Sequence, residues 1–100
     1  MSTEDFIIEL FCRVDDAMPT IRKHSQASLY PSEIVTLGLL FALKGVGNRA
    51  FYRWLARDWR PWFPKLPERT RLFRLLKTHH AWTTFFLAQP TVLGVADSYG

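Results

Sequence analysis

Arg49, Arg53, Arg57 and Arg60 follow one another at steps of four, four and three residues. On a helix, that spacing lays the four guanidinium groups along one continuous stripe. Further on, Arg71, Arg74 and Lys77 fall on one side of a second helical pattern, with Thr70 and Thr78 between or beside them. Guanidinium, ammonium and hydroxyl groups are the ones that contact phosphate oxygens. One arginine stripe reads equally well as a solvated helix face, but two successive cationic faces favour a polyanion as partner. The charge distribution points the same way: residues 44 to 77 carry ten Lys and Arg against two Asp and Glu, a net +8, whereas residues 1 to 43 carry three against six. Such a local density suits nucleic acid better than random protein surface.

The other chemistry-bearing residues give weaker signals. Asp15 and Asp16 are adjacent, so on a helix their carboxylates diverge, which disfavours a metal site built on them. His79 and His80 diverge by roughly 100° for the same reason and mark a helix junction rather than a chelating pair. His24 reads as a solvent-exposed loop histidine. Cys12 is the only cysteine, which excludes a disulfide framework and a CxxC zinc or redox motif. It reads as a small buried hydrophobe.

These residues must be held by helices. Ser2 or Thr3 can cap a first helix, with Glu4 and Asp5 in the turn where the dipole favours them. Phe6, Ile7, Leu10, Phe11, Val14 and Met18 give that helix one apolar stripe, and Pro19 stops it. Residues 21–30 are polar and without a period, as in a loop or a short turn of helix. Pro31 or Ser32 then opens a helix that is apolar on nearly every side from Ile34 to Leu43, the pattern of a central buried post. Its apolar run is far shorter than the ~18 to 20 residues a bilayer span needs. Gly38, inside it, predicts a close helix crossing.

Lys44-Gly45-Val46-Gly47 predicts a cap and a sharp turn, and Asn48 is the expected N-cap of the helix bearing Arg49 to Arg60. Phe51, Trp54 and Leu55 share its inner face. Asp58 projects toward that apolar side, so either the helix frays before it or it pairs with a cation from a neighbouring element. Pro61, Pro64 and Pro67 break the chain into an ordered bend. Trp62 and Phe63 within it anchor the bend to the core in preference to stacking on bases. Pro67 and Glu68 open the next helix, with Leu72, Phe73, Leu75 and Leu76 inward and Arg69 near the apolar edge. Residues 81–88 form a short apolar helix ended by Gln89-Pro90, and residues 91–96 read as a buried strand that delivers Asp97.

The length of 100 residues, with 48% hydrophobic and 15% aromatic content, suits one small globular domain and excludes wholesale disorder. The acidic start lacks the basic and apolar regions of a signal peptide, so a cytoplasmic protein is expected. The fold class is mainly α: a bundle of about five helices over residues 1–90 with a helix-turn-helix-like pair, then one lone β-strand in residues 91–100.

In the order EDFIIELFCRVDD, LYPSEIVTLGLLFALKGVGNRAFYRWL, LPERTRLFRLLKTH and LGVADSYG, the whole chain resembles the amino-terminal part of bacterial insertion-sequence transposases of the DDE type. The resemblance implies a helical DNA-binding domain followed by the first strand of a ribonuclease H-like catalytic domain. It also implies that Asp97, followed by Ser98, is the first catalytic carboxylate and a ligand of Mg²⁺. Two such ions serve phosphoryl transfer by activating the attacking oxygen and stabilising the leaving one. No second Asp or Glu follows Asp97. The chain is therefore expected to be inactive in cleavage and joining by itself, to bind Mg²⁺ poorly, and to represent a truncated, interrupted or deliberately shortened transposase.

The expected partner is the double-stranded terminal DNA of the insertion sequence, with a homo-oligomer as a further expectation and no membrane. By helix-turn-helix practice Arg49 and Arg53 face base edges, and Arg57, Arg60, Arg71, Arg74 and Lys77 hold phosphates. The competing readings are a module that pairs subunits through its aromatic and helical surfaces, and a decayed remnant without DNA-binding activity.

Overall fold

The computed structural model describes residues 2–18 and 29–89, and the architecture there is helical. Its elements are α1 (Thr3–Ala17), α2 (Pro31–Lys44), α3 (Asn48–Asp58), a 3₁₀ turn (Arg60–Trp62), α4 (Arg69–Thr78) and α5 (His80–Leu87). The expected strand over residues 91–96, Asp97, and residues 21–28 of the loop expected over 21–30 lie outside the described residues.

Helix α1 begins where Ser2 accepts a bond from the Asp5 N–H at 3.1 Å, satisfying one of the orphan donors of a helix start. It buries Phe6, Ile7, Leu10 and Val14 against α2. Cys12 corrects the sequence reading, because its thiol is exposed. It lies two residues from both Leu10 and Val14, about 200° around the helix from either, so the phase that buries them turns it to solvent.

Helix α2 is the post of the bundle. Seven consecutive residues, Ile34 to Leu40, are buried, because α1 covers one side and α4 and α5 the other. Pro31 is its first residue, and the Tyr30 N–H just before it donates to the Glu33 carboxylate at 2.9 Å. The buried Thr36 hydroxyl is satisfied by the Ser32 carbonyl at 2.7 Å. Gly38 supplies the expected close crossing: a Cβ there would stand 2.7 Å from Thr83 Oγ1 on α5. No single helix among the described residues is long and apolar enough to cross a membrane.

At the end of α2, Gly45 takes φ 69° and gives its N–H to the Phe41 carbonyl at 3.2 Å. This left-handed cap is open to glycine without steric cost. After Gly45-Val46-Gly47 the chain enters α3 with its direction turned by 120°. The N-cap of α3 is Gly47, not Asn48 as the sequence suggested. Gly47 is extended and its carbonyl already accepts the Phe51 N–H at 2.9 Å, which makes Asn48 the first helical residue.

Three rings knit α2, α3 and α4 together. Phe41 meets Phe51 edge-on at 5.2 Å and Phe73 at 5.1 Å, and Phe51 meets Phe73 at 6.3 Å. Such pairs add roughly 0.5–1.5 kcal/mol each beyond their buried area. Phe51, Leu55 and Leu72 are fully enclosed; truncating the phenylalanine to alanine should cost about 3–5 kcal/mol. Phe63 is buried while Trp62 is 38% exposed, so within the proline bend Phe63 is the anchor in the core. Helix α4 starts at Arg69, two residues beyond Pro67, with Glu68 as its N-cap. His79 joins α4 to α5: its N–H and Nδ1 both lie against the Leu75 carbonyl, and its own carbonyl accepts the Trp82 and Thr83 N–H groups of α5.

Candidate nucleic-acid interface

Helix α3 is amphipathic because its inward residues, Phe51 and Leu55, dock on the ring cluster while the arginines fall on the far side. Its first turn carries no acidic residue, and Gly47 makes no side-chain capping bond. The positive end of the helix dipole is therefore uncompensated by side chains and adds to the arginine field.

Arg49, Arg53 and Arg57 line an open groove whose floor is Tyr52 and Ala56 and whose opposite wall is Arg69 of α4. Arg69 was read from sequence as lying near the apolar edge of α4. That edge faces α3, and Arg69 lines the groove together with the α3 arginines. Close by, the Tyr52 hydroxyl donates to the Pro67 carbonyl at 2.6 Å. The bond ties the middle of α3 to the residue two places before α4.

The remaining expected contacts are not gathered in this groove. Arg60 is exposed at the start of the 3₁₀ turn, and Arg71 and Arg74 are exposed on α4. Lys77 lines a different groove, between α2, α4 and α5. Lys44 lies 4.3 Å over the ring of Trp54, so its ammonium is held beside the base of α3. Asp97 lies outside the described residues, and among the described residues no group of three His, Cys, Asp or Glu could hold a metal ion.

Asp58 meets the sequence expectation only in part: Lys44 of α2 attracts it, but its hydrogen-bonded partner lies on its own helix. It is the last residue of α3, exposed, and its carboxylate is gripped by the neighbouring Arg57 through two bonds, at 3.0 and 3.1 Å. The hydrogen bond from Arg57 lowers the Asp58 pKa from its ordinary value, and the same bond raises that of Arg57. With side-chain exposures of 67% and 41% the pair is wet and contributes little to stability. It does occupy one of the four guanidinium groups of the groove. Arg49, Arg53 and Arg69 make no ion pair among the described residues.

An aromatic row extends from the same helix: Phe51 to Trp54 at 5.7 Å, Trp54 to Trp59 at 6.0 Å, and Trp59 to Trp62 at 5.8 Å. The Trp59 indole N–H is buried and has no partner among the described residues. Comparison of the chain with protein-family models, with curated proteins and with solved structures yields no match.

Proposed function

We propose that the chain binds double-stranded DNA through α3, as the amino-terminal part of a DDE-type insertion-sequence transposase acting on its element's terminal DNA. One observation carries the DNA reading: Arg49, Arg53, Arg57 and Arg69 converge on one open groove, and three of them have no carboxylate partner among the described residues. Like charges are held together at a cost in mutual repulsion, which a polyanion relieves.

The geometry of the helix pair supports the same reading. Two helices joined through a short glycine turn at about 90–120° make the helix-turn-helix arrangement, and α2 and α3 are turned by 120° across Gly45 to Gly47. In that arrangement the second helix enters the major groove by its amino end. Arg49 and Arg53 then reach base edges, where arginine pairs with guanine O6 and N7. Arg57, Arg69, Arg60, Arg71 and Arg74 serve phosphates on either side. The transposase assignment rests on the order of sequence features, including Asp97-Ser98.

The test is a titration of the chain against duplex carrying the element's terminal repeat and against scrambled duplex. Preference for the repeat supports the assignment. Equal, salt-sensitive binding to both would leave a DNA-binding module and remove the element-specific role.

A further inference from the structure

A second groove, separate from the arginine site, runs between α2, α4 and α5 and encloses about 500 Å³. That is within the ~300–1,000 Å³ of sites that take small molecules. Phe41, Ala42, Phe73, Leu76 and Leu87 make its apolar floor, and Asn48, Lys77, His80 and Thr83 supply its polar groups; no carboxylate lines it.

Two of those polar groups lack partners. Lys77 forms no ion pair among the described residues. Thr83 is only 6% exposed, yet its hydroxyl makes no hydrogen bond among the described residues, whereas Thr36 and Thr78 return theirs to carbonyls one turn back. The Thr83 oxygen sits 2.7 Å from where a side chain on Gly38 would begin; the bare glycine leaves it uncovered. The oxygen is thus open to the groove, and it is a donor and acceptor that no protein group there engages among the described residues.

We propose that this groove binds a small amphipathic carboxylate, with its hydrocarbon or aromatic body on Phe41, Phe73 and Leu87 and its carboxylate against Lys77, His80 and Thr83. A neutral hydrophobe would bury the ammonium and the hydroxyl without pairing them, and an amine would meet Lys77 with like charge. A carboxylate accepts from both.

The test uses the whole ¹⁵N-labelled chain titrated with octanoate, octan-1-ol and octylammonium, without DNA, so its outcome is independent of the arginine site. Octanoate is expected to saturate with a Kd of roughly 0.1–1 mM. It should bind about tenfold more tightly than the alcohol, with octylammonium weakest. Shifts should centre on Gly38, Leu76 and His80. Lys77→Gln should bring octanoate to the level of the alcohol. Ala42→Trp, at an exposed position where added bulk spares the core, should abolish binding of all three. Equal affinities for the three probes, shifts centred elsewhere, or octanoate binding unchanged in Ala42→Trp would overturn the proposal.

Discussion

The Tyr52 hydroxyl meets the Pro67 carbonyl at 2.6 Å, a bond that joins the middle of α3 to the turn before α4 alongside the Phe51 to Phe73 ring contact. Arg69, two residues beyond Pro67, lines the arginine groove. Tyr52→Phe keeps the ring and removes the bond, so a stability loss of about 0.5–1.5 kcal/mol is expected, read by urea denaturation. DNA affinity should fall as well, through the displaced Arg69, and equally for all sequences, as loss of a phosphate contact does.

Gly38 and Thr83 give a prediction that changes sign with background. Gly38→Ala places a methyl 2.7 Å from Thr83 Oγ1. Overpacking of this kind costs ~1–3 kcal/mol, offset by up to ~1 kcal/mol of helix propensity. A net loss of stability is expected in the native background. In a Thr83→Ala background the obstructing oxygen is gone, and the same substitution should stabilise by up to ~1 kcal/mol. Thermal melts of the four proteins complete the cycle.

How far the sequence disclosed these relationships depended on whether their cause was local. Gly38 and Gly45 were legible, since a glycine in an apolar helix and a glycine after a lysine-ended helix each have a backbone reason visible within a few residues. The inward sets on α1 and α3 followed from periodicity. Arg69 was not legible as a groove residue, because the groove forms only where α4 packs against α3, a contact between residues distant in sequence such as Tyr52 and Pro67, fifteen residues apart. Asp58 was misjudged in part, for an opposite reason. At the last turn of a helix no further turn covers the side chain, so it is free to fold back onto its immediate neighbour Arg57. Cys12 followed the average burial of cysteine in the sequence reading, when the phase of its own helix already placed it outside.

Asp58 should act as a brake on DNA binding. Asp58→Asn releases Arg57 and removes a carboxylate beside the groove, so affinity at low salt is expected to rise about two- to fivefold, the scale of an exposed pair. The pH dependence has a definite sign. The Asp58 pKa is lowered by its bond to Arg57, so the pair persists above the ordinary carboxylate range and is lost only as pH falls through the depressed value. Mild acidification from neutrality should therefore leave Arg57 engaged, as NMR titration of the Asp58 carboxyl would show.

Trp59→Phe should be tolerated. The indole N–H it removes is buried and makes no hydrogen bond among the described residues, and the ring contacts with Trp54 and Trp62 are kept in part by phenylalanine. A change in stability within about 1 kcal/mol is expected, since deleting an unsatisfied donor offsets lost packing. A loss well above that in chemical denaturation would mean that the donor has a partner.

The most direct test of the DNA-binding claim compares the native chain with an Arg49→Gln, Arg53→Gln, Arg69→Gln triple variant on duplex DNA over a range of salt. Each phosphate contact contributes ~0.9 to the slope of log affinity against log salt. Steep salt dependence is expected for the native chain; the variant should bind more weakly, with a slope shallower by roughly 1 from the phosphate contact of Arg69, the losses at Arg49 and Arg53 falling on base contacts. A folded native chain that fails to bind at low salt, or a variant with unchanged affinity and slope, would contradict the assignment of the groove to DNA.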